Sequence, residues 1–481
     1  MSRRQALVLG LGRFGGGVAS VRHLVRLGYR VRVTDRATAA DLQDSVATLA
    51  AEPELEEHLE WRLGEPGDDT SLLDGIELLV CNPGIPSQHP LLEFADQRDV
   101  PITQEVNLFL ESYPGKVVAV SGTNGKSTTA TLLANALRRC GVDTLLGGNI
   151  GHSLLDEQAT WSSSQVAVLE LSSFQLERID PDRHRVLGTV LTRITADHLD
   201  RHGDLASYQA AKGRAAAMAD EFLVHTADDQ VAAGFAQEGQ SVLVHGPHDS
   251  HASLAASSRD GMVWSHMGTD PGPVLTTPAL KLPGDFQVEN VMAAFLATTQ
   301  ITDMLVTDSG CRHSAAMALA TTKPLTNRLQ LSATVAGRHI FGNAVSTQID
   351  STLSAIDSLP GQVHWVGGGK SKDGEYSEPG SQIGDRVASA HLFGAVAMPM
   401  AKVMGNRVAT TVHQDLEQAL DAAWATSRSG DTILFSPAFA SFDQFPNFAA
   451  RARRFDAWVH RLREETSPTL GTSPDLPSMH R

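Results

Sequence analysis

The sequence predicts an α/β protein built from three successive units, because the alternation of apolar strands, glycine-rich loops and helical patterns starts afresh twice along the chain. Residues 5–33 have the pattern of a βαβ unit. A second strand, loop and helix begin at Val117, after a Tyr-Pro-Gly interruption, and a third group of elements begins near Thr326. We therefore predict domains at residues 1–113, 114–325 and 326–465, and a disordered tail at residues 466–481 that is rich in proline, serine and threonine.

Composition narrows the class of protein. The 481 residues suffice for two to four domains of roughly 100 to 200 residues each. The hydrophobic fraction of 42% and charged fraction of 20% are typical of a soluble globular protein, and the formal charge of −16 disfavours nucleic acid as a partner. Three widely separated cysteines suggest neither a disulfide framework nor a thiolate metal site. With no secretory leader and no run of about 18 apolar residues, we expect a cytoplasmic protein without membrane insertion.

The first unit carries a nucleotide-binding pattern. Its loop fits G-x-G-x-x-G with Gly10, Gly12 and Gly15, and Asp35 closes the second strand about 20 residues on. Such a loop suits a dinucleotide, and it equally suits a uridine nucleotide. Its amides bind any diphosphate, and an acid at the end of the second strand can accept a hydrogen bond from a ribose or a base. The turn at residues 82–86 follows a further strand, where open α/β sheets bind ligands, although a plain structural turn explains it nearly as well.

The second unit begins with a phosphate loop. Residues 117–120 predict a buried strand, and a helical pattern starts at Thr128, so the glycine-rich stretch between them places several amides at a helix N-terminus. Lys126 suits the outer phosphates and Ser127 suits the accompanying magnesium. The loop is a shorter variant of G-x-x-x-x-G-K-[ST], because the first glycine would fall at Val120. The predicted ATP-binding residues are Gly122, Thr123, Asn124, Gly125, Lys126, Ser127 and Thr128.

Three further polar residues follow predicted strands or helices. Glu170 ends the strand at residues 166–170, where a second magnesium partner is usual and a solvated strand end is the alternative. His198 follows a strand predicted at residues 190–194 and is either a metal ligand or a structural cap. Lys212 by itself is an ordinary helix-surface cation. Residues 233–278 are predicted to be irregular strands and surface loops, and the last helix is predicted at residues 447–463.

Five motifs resemble, in order, those of the central domain of the Mur ligase family; they are residues 122–128, 147–151, 170–177, 197–201 and 208–212. Residues 436–445 are similar to the C-terminal signature of a glutamate-adding member. The resemblance implies a Rossmann-like N-terminal domain for the uridine diphosphate of the substrate, a P-loop-type central ATPase with a parallel sheet, and a Rossmann-like C-terminal domain that brings the amino acid. It also implies a monomer acting in peptidoglycan synthesis. The implied substrates are ATP, UDP-N-acetylmuramoyl-L-alanine and glutamate, which are joined through an acyl phosphate.

The resemblance also implies residue roles. Lys126, His198 and Lys212 would be catalytic, and two magnesium ions would be bound by Ser127, Glu170, His198 and Lys212. Lys212 would be a carbamate, because a CO2 adduct presents oxygens to a hard cation and an amine does not. The implied precursor contacts are Arg13, Phe14, Asp35, Gly84, Asn149, Ser172 and Gln175. The implied contacts to the ATP nucleotide are Asn290, Arg328 and Asn343. The implied glutamate contacts are Thr347, Ser441, Phe442, Phe448 and either Lys372 or Lys370.

The chain departs from the family pattern mainly in its third unit. Asn343 and Val345 replace an aspartate and a lysine, and Asn327 and Phe286 replace two histidines. The implied activity is that of a ligase that adds D-glutamate, and two alternatives stay open beside it. One is a ligase for L-glutamate or another amino acid, and the other is a catalytically impaired homologue that binds the nucleotide precursor. The retained phosphate-loop lysine, strand-end acid, histidine and helix lysine favour catalysis. A dehydrogenase is disfavoured, because nothing after the first loop supplies a hydride-transfer site.

Overall fold

The computed structural model describes residues 4–247, 254–267, 271–305, 311–371 and 376–466. The chain forms two compact units, one of Met1–Leu280 with Gln287–Thr322 and one of Lys281–Phe286 with Lys323–Arg481. Three sheets rich in parallel strands confirm the predicted α/β class. The boundary predicted at residue 113 falls inside the first unit, and the three-domain division stays a prediction. Lys372 and residues 467–481 of the predicted tail lie outside the described residues.

The first sheet is parallel throughout and has the order β3-β2-β1-β4-β5. Its strands are β1 (Gln5–Leu9), β2 (Arg30–Asp35), β3 (Leu59–Leu63), β4 (Leu78–Cys81) and β5 (Ile102–Thr103). Its helices are α1 (Gly16–Arg26), α2 (Gln43–Ala50), α3 (Pro53–Glu56), α4 (Pro90–Gln97) and α5 (Glu105–Ser112). The predicted βαβ unit is present, and α1 stops just before Gly28, whose φ of 85° lets the chain turn into β2.

The second sheet belongs to the same unit and has the order β14-β13-β12-β11-β10-β9-β6-β8-β7, antiparallel only at its β12, β13 and β14 end. Its strands are β6 (Lys116–Ser121), β7 (Thr144–Gly148), β8 (Val166–Glu170), β9 (Val186–Leu191), β10 (Ala219–Thr226), β11 (Ser241–Pro247), β12 (Ala256–Arg259), β13 (Met262–Ser265) and β14 (Gly272–Thr276). Its helices are α6 (Lys126–Arg139), α7 (Ser173–Leu176), α8 (Leu199–His202), α9 (Leu205–Met218), α10 (Gln230–Ala233), α11 (Phe286–Leu305) and α12 (Cys311–Thr321).

Three local predictions in this sheet need correction. Helix α6 starts at Lys126 rather than Thr128, because Gly125 with a φ of 85° occupies the N-cap. The strand predicted at residues 190–194 is β9, and it lies at Val186–Leu191 instead, because pairing with β6 and β10 sets its position. The stretch predicted as irregular strands and surface loops contains the regular strands β11 to β14, which extend the sheet outward from β10.

The second unit contains a sheet of order β15-β16-β20-β17-β18-β19, antiparallel only between β15 and β16. Its strands are β15 (Gln330–Val335), β16 (Arg338–Gly342), β17 (Val363–Gly368), β18 (Ser389–Phe393), β19 (Ala409–His413) and β20 (Thr432–Ala438). Its helices are α13 (Ile349–Asp357), α14 (Ser377–Gly384), α15 (Ala397–Met404), α16 (Leu416–Thr426) and α17 (Phe448–Thr466). Trp365 packs in one core with Met400, and Val366 packs in another with Leu420, so helices cover both faces of this sheet.

Helix coverage explains why the strands are so apolar. Residues 117–120 of β6 and 166–169 of β8 are buried, and their runs are continuously apolar rather than alternating, as expected when both faces of a parallel sheet are covered. The carboxyl ends of β6, β8 and β9 meet at one edge and deliver the loops after them to the same place. Across the described part of the chain, none of the helices has the length and apolarity needed to cross a membrane.

Candidate active site

The phosphate loop between β6 and α6 has room only for glycine at two positions. Gly122 has a φ of 132°, and a Cβ there would lie 2.0 Å from Thr192 Oγ1. Gly125 has a φ of 85°, and a Cβ there would lie 2.4 Å from Asn290 Oδ1. The loop therefore approaches its neighbours closely and reverses into the N-terminus of a helix of 14 residues. This is the geometry that binds phosphate groups.

Thr123 and Lys126 fix the loop. The Thr123 amide donates to Arg193 O at 2.9 Å, and its hydroxyl donates to Thr195 O at 2.9 Å and lies 2.8 Å from Tyr208 Oη. Lys126 Nζ donates to Thr123 O at 2.5 Å. The loop is thus anchored to the chain after β9 and to α9. Asn124 is exposed, and Thr128 lies half-buried on the first turn of α6.

Glu170 lies next to this loop and is 1% exposed. Ser127 Oγ donates to its Oε2 at 2.5 Å, and Asn149 Nδ2 donates to its Oε1 at 3.0 Å. The end of β8 and the first turn of α6 therefore bring a carboxylate and a hydroxyl together. Oxygen donors of this kind suit a hard divalent cation such as magnesium.

Lys212 is buried on α9, with 1% of its surface exposed, and it faces the same region. Its Nζ donates to Ser121 Oγ at 3.3 Å, at the end of β6. Burial lowers the pKa of Lys212 well below its ordinary value, and the charge of Lys126 lowers it further, whereas Asp197 and Glu170 oppose the shift. The amine is therefore more often neutral, and more nucleophilic, than that of a surface lysine.

His198 follows β9 and caps α8 in a left-handed conformation, with a φ of 52°. Its Nε2 lies 3.4 Å from Asp197 Oδ2, and its ring centroid lies 4.9 Å from that of Phe174. Thr195 N, two residues before Asp197, donates to Thr123 Oγ1 at 3.0 Å, so the chain leading to His198 is bound to the phosphate loop. Among the described residues, no group of three or more His, Cys, Asp and Glu side chains is arranged to hold a metal ion by itself.

Ser172, Gln175 and Asn290 already have partners within the unit. Ser172 and Gln175 form a reciprocal capping box at the start of α7, with Gln175 Oε1 accepting from Ser172 N at 2.9 Å. Asn290 Oδ1 accepts from Thr129 Oγ1 at 3.1 Å, and its Nδ2 donates to Gln287 Oε1 at 2.8 Å. Asn290 thus packs against Gly125 of the phosphate loop and binds the first turn of α6.

The predicted nucleotide-binding residues of the first sheet lie on its glycine-rich loop and on the neighbouring turn. Asp35 accepts from Gly12 N at 3.0 Å and from Ala37 N at 2.9 Å, so its carboxylate shapes the loop. Arg13 and Phe14 are exposed on that loop, and Gly84 is exposed on the turn after β4. The structure therefore brings the two predicted binding segments together.

The remaining predicted site residues belong to the second unit. Asn343 is 6% exposed, accepts from Leu329 N at 3.2 Å and donates to Ser436 Oγ at 3.1 Å, so its amide joins three segments. Thr347 and Arg328 are half-buried in the turns before α13 and β15, whereas Phe442 and Phe448 are exposed. A backbone bridge from Lys370 to Ala440 places Lys370 beside the buried Ser441.

Sequence reasoning missed Arg451 on α17. Its side chain is fully buried and donates to Phe439 O at 2.9 Å, to Gly368 O at 3.3 Å and to Ala344 O at 3.5 Å. Burial lowers the pKa of Arg451 to about 10. The Arg451 guanidinium therefore connects the carboxyl ends of β16, β17 and β20. The available signal was spacing, because Arg451 lies four residues before the buried Phe455 and so on the apolar face of the helix.

Comparison with known proteins identifies the family. Residues 120–298 match the model of the Mur ligase middle domain, and residues 4–104 match that of the MurD-like N-terminal domain of Mur ligases. The UDP-N-acetylmuramoylalanine–D-glutamate ligase of Koribacter versatilis is 31% identical over 96% of this chain and 98% of its own length. The ligase of the same name from Geotalea daltonii is 34% identical over 95% of this chain and 98% of its own.

Solved structures show the same fold at lower identity. The UDP-N-acetylmuramate-alanine ligase MurC of Thermotoga maritima has a TM-score of 0.59 and 14% identity, covering 96% of this chain and 99% of its own. The MurF ligase of Thermotoga maritima, solved in complex with ADP, has a TM-score of 0.57 and 15% identity over the same shares. On the strength of the two domain matches and the nearly full-length relatives, this chain belongs to the Mur ligase family.

Proposed function

We propose that this protein is an ATP-dependent amide ligase that joins D-glutamate to UDP-N-acetylmuramoyl-L-alanine in peptidoglycan precursor synthesis, as a monomer in the cytoplasm. The observation that carries the proposal is the placement of three groups around the carboxyl ends of β6 and β8. Lys126 lies on the phosphate loop, Glu170 accepts from Ser127, and the buried Lys212 donates to Ser121. Relatives that align over nearly the whole chain have the name of this activity.

The phosphate loop fits ATP and magnesium. Gly122 and Gly125 let the loop pack closely against Thr192 and Asn290 and reverse into a cradle at the positive end of α6. Lys126 would leave its bond to the Thr123 carbonyl and contact the outer phosphates. Ser127 and Glu170 would present oxygens to a magnesium ion, which offsets the charge of the phosphates when it is bound.

The chemistry follows from the weakness of a carboxylate as an electrophile. Its oxygen is a poor leaving group until the terminal phosphoryl group of ATP is transferred to it, forming a carboxyl–phosphate bond and releasing ADP. The amine of glutamate then attacks the carbonyl carbon, the carbon–oxygen bond to phosphate breaks, and the amine loses a proton. Lys126 would offset the repulsion between the two anions that must meet in the first step.

We include a carbamate on Lys212 in this proposal. The neutral amine favoured by burial would attack CO2 and lose a proton, leaving a carbamate with two oxygens. These oxygens, together with His198, would suit a second magnesium ion. Lys126, which lowers the pKa of the Lys212 amine, would stabilise the resulting anion.

The substrate contacts stay predictions from the family motifs. The nucleotide end of the precursor would lie along the loop of Arg13 and Phe14 and the turn of Gly84, and its muramoyl-alanine part would face Asn149. Glutamate would be bound by the second unit, in which Lys370 pairs with Ala440 next to Ser441, and Thr347 lies on the segment after β16.

Phosphate release tests the proposal directly. The purified protein would be given ATP, magnesium and UDP-N-acetylmuramoyl-L-alanine, with D-glutamate or L-glutamate in turn. We expect release that requires the precursor and D-glutamate together. Phosphate release with L-glutamate but not with D-glutamate would instead support a ligase for L-glutamate. Tight binding of the precursor without phosphate release would support a binding protein. The uncharged hydrogen bonds of Asn343 favour that second alternative.

A further inference from the structure

Arg201 connects the His198 segment to the first sheet. It lies on α8, three residues after His198, and its side chain is 11% exposed. Its Nη2 donates to Ile85 O at 2.8 Å and to Pro83 O at 3.3 Å, and its Nη1 donates to Gly84 O at 3.4 Å. One guanidinium therefore binds three consecutive carbonyls of the turn after β4.

Two neighbours of Arg201 complete this contact. Glu177 Oε2 accepts from Arg201 Nη2 at 3.0 Å and from Ser87 Oγ at 3.3 Å. Arg178 Nη2 donates to Ile85 O at 2.6 Å. We call Glu177, Arg178 and Arg201 the turn clamp. Because Glu177 is 17% exposed and Arg201 is 11% exposed, its ion pair is largely shielded from water and salt.

The far side of the clamped turn touches the glycine-rich loop of β1. A Cβ on Gly10 would lie 2.8 Å from Asn82 Cβ, and one on Gly12 would lie 3.0 Å from Asn82 Nδ2. Asn82 also accepts from Gly84 N at 2.9 Å. The turn is therefore packed between the loop that carries Arg13 and Phe14 and the clamp on the second sheet.

The turn clamp is connected to His198 through the ring of Phe174. The Phe174 ring lies 4.9 Å from the His198 ring centroid, and Arg201 Cζ lies 4.9 Å from the Phe174 ring centroid. Phe174 thus separates the two side chains and contacts both. Loop, turn, Arg201, Phe174 and His198 form one continuous series of packed groups.

We propose that Arg201 is a positioning residue that sets the separation between the nucleotide-binding loop and the His198 segment. With this separation fixed, binding of the nucleotide end of the precursor would also position the reacting carboxyl group at its other end. Binding energy from a remote part of a substrate accelerates a reaction only when the protein between the two sites is held in place. This inference rests on the proposed function. A guanidinium is required, because a lysine ammonium cannot donate to three carbonyls and a carboxylate at once.

The test compares a full and a truncated acceptor. The ratio of kcat/KM for UDP-N-acetylmuramoyl-L-alanine to kcat/KM for N-acetylmuramoyl-L-alanine measures how far the nucleotide end assists the reaction. We expect Arg201→Ala and Arg201→Lys to reduce this ratio at least about tenfold, because a small misplacement costs up to about 100-fold in rate. The KM for ATP should stay unchanged, since the phosphate loop makes none of these contacts.

Arg185 supplies the matched control. Its guanidinium also binds a carboxylate, that of Asp220, and a backbone carbonyl, that of Ala217. It lies at the start of β9, away from the turn. Arg185→Ala should leave the ratio at its wild-type value. Arg201→Lys keeps the charge and serves if Arg201→Ala fails to fold. A ratio within threefold of wild type in folded Arg201→Lys overturns the inference, whereas absence of turnover by the wild-type protein overturns the proposed function and the inference with it.

Discussion

Two strand-end clusters in this molecule use opposite chemistry. In the first unit, Lys126 and Glu170 place charges, and Lys212 places a buried amine, beside a loop that only glycine can form. In the second unit, Asn343, Ser436 and Thr352 form a neutral group, with Ser436 Oγ lying 3.1 Å from Asn343 Nδ2 and 2.8 Å from Thr352 Oγ1. The buried guanidinium of Arg451 nearby binds backbone carbonyls. The comparison teaches that charges beside a phosphate loop indicate a site for charged ligands, whereas polar groups that pair with one another or with the backbone mainly hold segments together.

The largest expected effect is on catalysis in the first unit. Lys126→Ala removes the cation beside the phosphate cradle, and we expect kcat to fall at least about 100-fold. Phosphate release measures it. Lys116→Ala, at the exposed start of the same β6 strand, is the control and should keep wild-type activity. Activity within tenfold of wild type in Lys126→Ala would show that the charged cluster does not serve phosphoryl transfer.

Lys212→Met should abolish turnover and yet change stability in a pH-dependent way. In the protein without the carbamate, folding lowers the pKa of the Lys212 amine, so between that pKa and the ordinary 10.5 the unfolded chain binds a proton that the folded chain does not. Wild-type stability should therefore rise with pH in this window, and the rise should be smaller in Lys212→Met. Urea unfolding at about pH 7 and about pH 9 measures this. Equal slopes for both proteins would contradict a buried neutral amine.

The neutral cluster should respond in stability. Asn343→Ala leaves the Leu329 amide without its acceptor and removes one of the partners of the Ser436 hydroxyl, so the free energy of unfolding of the second unit should fall by about 1–3 kcal/mol. Chemical denaturation measures it. Asn406→Ala, at an exposed position of the same unit, is the control. An unchanged midpoint for Asn343→Ala would show that this amide does not hold the cluster together.

The smallest effect is an acid sensitivity of the second unit. Burial, with the charges of His413 and His364, lowers the pKa of His391 from 6.5 to about 4, so the unfolded chain takes up a proton first as the pH falls. Stability should be lost as the pH drops from 6.5 towards 4, and His391→Gln should lose less. Thermal melting across this range measures it, with the exposed His460→Gln as control. Parallel losses in wild type and His391→Gln would assign the sensitivity to other groups.

Local patterns predicted much of the fold. The βαβ unit and the phosphate loop were found because their glycines and apolar strands lie within short windows. The position of β9 and the regular pairing of β11 to β14 were not, because strand pairing across distant segments sets them. Arg451 and Arg201 look like surface cations in the sequence, and only the folded structure shows that their guanidiniums bind backbone carbonyls of distant segments.

The roles of the site residues depended on different information. Lys126 and Ser127 were identified from spacing, since a phosphate cradle is local. Lys212 has no distinguishing pattern on α9, and it was singled out only through the resemblance to the family. The structure adds the reason that this lysine is unusual, which is its burial beside Ser121.

The central claim is that the carboxyl group of the precursor is activated by phosphoryl transfer, and following an oxygen isotope tests it most directly. UDP-N-acetylmuramoyl-L-alanine labelled with heavy oxygen in its terminal carboxyl group would be converted with ATP and D-glutamate, and the released phosphate analysed by mass spectrometry. The account predicts that one heavy oxygen passes from the carboxyl group to each phosphate. Unlabelled phosphate released together with the amide product would contradict it.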